Sequence, residues 1–291
     1  VAVAVAAAVS VLAMASCGGA SSSLRTHMAA ARRPPTTTTS TPVTTTTSAP
    51  PTTVAPTATQ PPAPPTTAAR PAPTTSTSPP TTRPPAPAPL LVTRLAGVGA
   101  STQVIAVTAP SYGVTVATLT AYQETSAGWQ QVFGPWRAHI GYDGFAPPGQ
   151  KREGDGRTPS GSYGFGFFFG VLGNPGVQFP YRPVTGPNIV WDDDPSSSLY
   201  NQWVDTTTAD AGAAPEPMDN TPAYDYGAVI DYNTAPVVAG AGSAIFFHVS
   251  TGGPTAGCVA LPVAELLAVL RWLDPAAQPR IIMGTASTVA A

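Results

Sequence analysis

Two side chains of this sequence have the types that nucleophilic catalysis needs, and they stand close together. Cys258 and His248 bracket the stretch His248-Val249-Ser250-Thr251-Gly252-Gly253-Pro254-Thr255-Ala256-Gly257-Cys258. A cysteine nucleophile needs a base within hydrogen-bond reach, and N–H donors for the oxyanion that forms when a carbonyl is attacked. His248 is the candidate base. Gly257 lets backbone approach a substrate closely, so the backbone at Gly257 and Cys258 suits the oxyanion. The Gly/Pro-rich loop can return the chain beside the strand that delivers His248. The competing reading is an inert packed thiol and a satisfied core histidine; the residues alone leave both open.

The other polar groups point less sharply to chemistry. Lys151-Arg152-Glu153-Gly154-Asp155-Gly156 reads as a charged turn before a strand, with a substrate-facing role as the alternative. Asp192-Asp193-Asp194 lacks the spacing of a calcium loop and is expected to be a solvated loop. His139 has no cysteine near it in sequence and is expected to be structural instead of a second base. Trp191 or Trp203, if exposed, would suit stacking on a sugar. Only two cysteines exist, Cys17 and Cys258, so neither a disulfide framework nor a four-ligand zinc set is available, and no metal site is expected.

The elements that must position Cys258 and His248 are mostly strands. Gln103–Val107, Gly113–Leu119, Trp129–Phe133, Tyr163–Phe169, Tyr226–Tyr232, Ser243–Val249 and Arg280–Met283 are β-branched or aromatic runs separated by turn residues. One helix is expected from about Pro262 to Leu273: Val263, Leu266, Leu267, Leu270 and Leu273 recur at helical spacing, and Pro275 stops it. The order expected is a strand carrying His248, a loop, then Gly257-Cys258 leading into the helix. Tyr181–Tyr224 reads as a long irregular loop with short elements, covering a cleft. The fold class is therefore all-β, with one packed helix near the C-terminal end.

Charge divides the chain. All 15 acidic residues lie at or after Glu124; from Arg94 onward 8 Lys+Arg face 15 Asp+Glu, a balance of −7. A net acidic domain is a poor partner for nucleic acid, which requires a basic face. Residues 34–89 hold 18 of the 36 prolines among Thr, Ser and Ala. Such a stretch lacks the apolar content to offset ordering entropy and is expected to be a disordered, polyproline-biased tether. Val1–Ser16 is an apolar run without charge, too short to span a bilayer but suited to the core of an export signal. Met14-Ala15-Ser16-Cys17 resembles a lipobox, in which Cys17 would be lipidated; Ala13-Met14-Ala15 offers an ordinary cleavage site instead. The expected organisation is a leader over 1–17, a linker over 18–93 and a folded domain over 94–291.

The stretch ending in Gly257-Cys258 resembles the L,D-transpeptidase (YkuD-type) catalytic domain, whose signature is a strand His, a loop, then Ser-His-Gly-Cys-Ile/Val-Arg. Arg157-Thr158-Pro159-Ser160-Gly161-Ser162-Tyr163 resembles that family's Thr-Pro-x-Gly-x-Phe/Tyr stretch. The resemblance runs from about Arg94 to Met283. It implies a β-sandwich cysteine peptidyltransferase acting on peptidoglycan stem peptides without metal or organic cofactor. Cys258 would be nucleophile and His248 base, with Val249 or Ser250 orienting the imidazole through a carbonyl. Arg157, Tyr163 and Thr255 would face substrate. Ala256 stands where the signature has its second His, and Ala260 where it has Arg. A divergent member is expected: an exported envelope enzyme, monomeric, membrane-anchored if Cys17 carries lipid. An L,D-carboxypeptidase with the same site and a non-catalytic peptidoglycan-binding module of the same fold are the alternatives. A papain-like peptidase fits poorly, because its Cys precedes its His.

Overall fold

The computed structural model describes residues 88–291. Cys17, the leader and the tether up to residue 87 lie outside the described residues.

A 3-10 turn at Leu91–Arg94 leads into β1 (Gln103–Ala109), β2 (Val116–Thr125) and β3 (Gly128–His139). Short strands follow: β4 (Phe145–Ala146), β5 (Thr158–Pro159), β6 (Gly161–Tyr163) and β7 (Phe165–Gly170). The stretch expected to be irregular holds β8 (Tyr181–Pro183), β9 (Ile189–Trp191), β10 (Trp203–Asp205) and β11 (Glu216–Pro217). Then come β12 (Gly227–Ile230), β13 (Phe246–Val249), β14 (Val259–Leu261) and helix α1 (Val263–Trp272). β15 (Arg280–Thr285) and the short α2 (Ala286–Val289) complete the order.

Ten strands form one sheet in the order β6-β15-β1-β2-β3-β14-β13-β12-β7-β8. Only Gly164 separates β6 from β7, yet the two lie towards opposite ends of that order. The sheet must therefore curl until its ends approach, and the all-β sandwich expected from sequence is this curled sheet. One core accordingly joins both halves: Ile105 and Val107 of β1 and Met283 of β15 share it with Phe168 of β7, Ile230 of β12 and Phe247 of β13. Phe168 stacks on Phe179 at 4.4 Å between ring centroids. Each aromatic ring buried this way contributes about 1.5–3 kcal/mol of transfer free energy.

β1 shows why a continuous apolar run appears in an antiparallel meander. Ile105 and Val107 enter the main core, while Val104 and Ala106 pack with Val92, Leu95 and Val289 on the other face. Both faces are covered, so alternation is not needed. The 3-10 turn is thus part of the fold, and Ala96 N–H donates to the Val289 carbonyl at 2.8 Å.

Helix α1 buries Leu266, Val269 and Leu270 against this core, with Glu265 in its first turn and Arg271 in its last, as the helix dipole favours. Two local expectations are corrected. The run Tyr163–Phe169 is two strands, because Gly164 is where the chain leaves β15 for β12. Gly257-Cys258 leads into a strand, β14, before the helix: Val259, Ala260 and Leu261 pair in parallel with β13.

Candidate active site

Strand register puts the two reactive residues on one face. His248 lies opposite Ala260 in the parallel pair β13–β14, and Phe247 opposite Val259. Side chains two apart on a strand share a face, so Cys258, just ahead of β14, points the same way as Ala260 and His248. Strand spacing and rise place the two Cα atoms about 8 Å apart on the diagonal. Phe247 and Val249 turn the opposite way, into the main core. Cys258 and His248 both line a cleft of about 310 Å³, and each is 7% exposed.

The turn before β14 is fixed by two threonines. Thr255 Oγ1 donates to the Cys258 carbonyl at 2.7 Å and accepts the Gly257 N–H at 3.1 Å. Thr158 Oγ1, fully buried in β5, donates to the same carbonyl at 3.4 Å and accepts the Gly141 N–H at 2.9 Å. Gly257 has φ +152°, and a Cβ there would lie 3.0 Å from the Arg157 carbonyl oxygen. The Gly257 N–H is thus held by Thr255, and the Cys258 N–H has no acceptor among the described residues. Of the two backbone donors proposed for the oxyanion, the Cys258 N–H is the one left free.

The sulfur rests on backbone. Cys258 Sγ accepts the Phe246 N–H at 3.3 Å and donates to the Ala244 carbonyl at 3.2 Å. Ala244 holds φ 51°, which is why Ser243–Ile245 breaks from the strand expected there. Burial raises the thiol pKa well above its usual value; Glu216 and Asp193 add to this, while the Phe246 N–H opposes it. His248 Nδ1 lies 2.9 Å from the Val249 carbonyl. A carbonyl only accepts, so Nδ1 carries the proton and Nε2 is the basic nitrogen of the neutral ring. Burial lowers the His248 pKa to about 4, against the opposing pull of the Val249 and Ala223 carbonyls. At neutral pH the pair is therefore thiol and neutral imidazole. The two make no hydrogen bond to each other in this resting arrangement.

Of the rest of the cleft wall, sequence reasoning named Thr255 and, as an alternative, the Lys151–Gly156 turn, and missed Asp193, Glu216, Tyr224 and Ser243. The ring of Tyr224 stands edge-on to the His248 ring at 5.4 Å, and its hydroxyl donates to Glu216. Ser243 Oγ lies 2.7 Å from both Asp193 Oδ1 and Glu153 Oε2. Lys151 is buried and ion-paired to Asp155 at 2.7 Å. Asp193, Glu216 and Tyr224 come from the Tyr181–Tyr224 segment, which does wall the cleft. The aspartate triplet is not a solvated loop: Asp192 is fully buried and accepts the Ser197 hydroxyl at 2.5 Å. Lys151 likewise is no surface charge, at 4% exposure. Acidic and basic residue types on a loop carry no period that would reveal their burial, so nothing in the sequence showed that Lys151 and Asp192 are buried.

Other expected site residues fall elsewhere. Of the two carbonyls expected to orient the imidazole, that of Val249 lies at His248 Nδ1, while the Ser250 hydroxyl is 2.7 Å from His139 Nδ1. Arg157 is exposed, and the Tyr163 hydroxyl donates to the Ser160 carbonyl at 2.8 Å; neither lines the cleft. Trp191 is buried under Phe246, and Trp203 is half-buried against Phe167. Among the described residues no group of three or more His, Cys, Asp or Glu is arranged to hold a metal ion.

Comparison with known proteins gives one family. Residues 116–285 match the YkuD family, the L,D-transpeptidase catalytic domain. No curated protein matches the chain. Among solved structures, the helical cell shape determining protein Pgp2 from Campylobacter jejuni is similar at 13% identity and a TM-score of 0.33. That similarity covers 66% of this chain and 50% of the Pgp2 chain, so it spans half that protein's length.

Proposed function

The chain belongs to the L,D-transpeptidase catalytic-domain family, and from that premise we propose that it is a cysteine peptidyltransferase acting on peptidoglycan stem peptides, with Cys258 as nucleophile and His248 as base. The observation that supports this most is the shared face: His248 on β13 and Cys258 just ahead of the parallel strand β14 line one cleft.

On this reading the thiol leaves the Ala244 carbonyl and gives its proton to His248 Nε2 as sulfur attacks the carbonyl carbon of an L,D peptide bond. The oxyanion is held by the Cys258 N–H. The C–N bond breaks, and the departing D-amino acid takes the proton from His248, leaving a thioester. An amine on a second stem then attacks and passes a proton back to His248. The C–S bond breaks, the sulfur regains its proton and a new amide joins the stems. Water in place of the amine gives a carboxypeptidase. Neutral His248 is the state this proton relay needs at pH 7, and a pKa near 4 supplies it. On this reading the domain works in the cell envelope, and the proposal includes an export leader over 1–17, a tether to residue 93 and, where Cys17 carries lipid, a membrane anchor.

One observation favours the non-catalytic binding module instead: the thiol is buried, hydrogen-bonded to backbone and raised in pKa. Incubating the protein with a tetrapeptide stem and weighing the products separates the readings. A cross-linked dimer lacking one terminal D-amino acid is expected for the transferase, a tripeptide for the hydrolase. Unchanged peptide that binds would identify the module.

A further inference from the structure

A second groove, of about 400 Å³, lies between β7, β8, β9 and β10 and shares no lining residue with the Cys258 cleft. Its size is that of a small-ligand site. Trp191 is its buried floor, with Nε1–H donated to Asn201 Oδ1 at 2.9 Å. Trp203 differs: it is half-buried, edge-on to Phe167 at 5.5 Å, and no described residue accepts its Nε1–H. The buried side-chain atoms left without a partner among the described residues are Ser160 Oγ and Glu265 Oε2, so the Trp203 N–H reaches solvent. The rim adds Arg182, whose guanidinium sits 3.6 Å over the Phe167 ring, with Gln202, Asp231 and Val237. The side chains of Arg182, Gln202 and Asp231 make no hydrogen bond to a described residue, and the one ion pair there joins Lys151 to Asp155. Val237 is 40% exposed.

The groove is built before any ligand arrives. Asn201 Nδ2 donates to the Tyr232 and Asn233 carbonyls at 3.2 and 2.8 Å. Asn233 in turn donates to the Val238 and Gly242 carbonyls and accepts the Val238 N–H at 2.8 Å, which fixes the loop presenting Val237. Rigid aromatic surface ringed by unfilled donors and acceptors suits a ligand with apolar faces and a polar edge. A pyranose has that form: C–H faces, and hydroxyls that each donate and accept. A carboxyl such as Asp231 hydrogen-bonds hydroxyls whether or not it is ionised. The exposed Val237 methyls suit the methyl of an acetamido substituent.

We propose that this groove is a carbohydrate subsite, taking an N-acetylated pyranose of a glycan chain on Trp203 with Arg182, Gln202 and Asp231 around its edge. The inference goes beyond peptidyl transfer and is tested without a peptide. The probe is the β-1,4-linked tetrasaccharide of N-acetylglucosamine, titrated into the full chain by calorimetry. Saturable binding is expected, weakened ~10-fold or more by Trp203→Ala, as loss of an aromatic anchor does. Arg182→Ala and Asp231→Ala, at exposed positions, should each weaken it several-fold, and Cys258→Ala should leave it unchanged. Val237→Asp, on the exposed loop, should also weaken it, and with the two rim variants it decides the matter if Trp203→Ala fails to fold. No saturable binding, binding indifferent to the groove variants, or binding abolished by Cys258→Ala overturns the proposal. Intact-mass analysis with a stem peptide reports separately on the reaction. Acyl-enzyme without tetrasaccharide binding would remove the subsite and leave the enzyme reading. Tetrasaccharide binding without acyl-enzyme would do the reverse.

Discussion

The N–H of Phe246, the first residue of β13, donates at 3.3 Å to the sulfur of Cys258, the residue just ahead of β14. The strand that carries the base thus also holds the nucleophile at rest. The contact steadies negative charge on sulfur, but burial and the nearby Glu216 and Asp193 outweigh it, so the thiol stays protonated. Cys258 is therefore expected to react with iodoacetamide near pH 7 more slowly than an unhindered thiol, with a rate that keeps rising above pH 9. Glu216→Gln should speed the reaction several-fold by removing a charge that opposes ionisation. Lys151→Met should slow it. A rate indifferent to both changes would show that these charges do not reach the sulfur.

Stability should depend on pH through two groups of opposite sign. His248 has a folded pKa near 4 against an ordinary 6.5, so between those values the unfolded chain binds the extra proton. This contribution, up to about 3 kcal/mol, is complete above pH 6.5 and is lost as pH falls towards 4. Asp193 is raised by burial to about 7 from 3.8, so the folded chain holds its proton across that range and stability declines as pH rises. Urea unfolding of the parent chain should show a shallow profile between about pH 4 and 6.5. Asp193→Asn should leave a steeper rise with pH, and His248→Gln a decline. Parallel profiles for all three proteins would contradict these assignments.

Thr158→Val tests the clamp on the Cys258 peptide. It leaves the Gly141 N–H without its buried acceptor and removes one of two hydroxyls on the Cys258 carbonyl. A loss of about 1–3 kcal/mol in unfolding free energy is expected. Acylation of Cys258 should slow more than simple alkylation does, because only acylation needs the backbone oriented. Thr158→Ser should restore both quantities. Failure of Ser to rescue would assign Thr158 to packing instead.

Gly257→Ala places a Cβ at φ +152°, 3.0 Å from the Arg157 carbonyl and 3.2 Å from Ile245 Cδ1. The expected cost is about 1–3 kcal/mol, read as a lower Tm, with the Cys258 N–H displaced and acylation lost. A fully stable and fully reactive Gly257→Ala protein would show that the turn tolerates another conformation.

Much of the fold could be read from residue types, because its strands are apolar runs between Gly and Pro and its helix carries a clear 3.6-residue period. Two points were hidden. Tyr163–Phe169 reads as one strand, since nothing local marks Gly164 as the place where the sheet's two ends meet. Val259–Leu261 is three residues long and runs into the helix, so only its pairing with β13 distinguishes it. At the site, His248 and Cys258 stood out by type and spacing, and Thr158 lay within a motif noted for its resemblance. Asp193, Glu216 and Tyr224 did not, because irregular backbone with no period brings them to the cleft.

The central claim is that Cys258 forms a covalent acyl-enzyme with a stem peptide, assisted by His248. Intact-mass spectrometry of the protein after incubation with a tetrapeptide stem tests it most directly. The account predicts an adduct equal to the stem less its terminal D-amino acid, mapped to Cys258, absent from Cys258→Ala and strongly delayed in His248→Ala. A folded wild-type protein with reduced Cys258 that binds the stem but never gains this mass would contradict it.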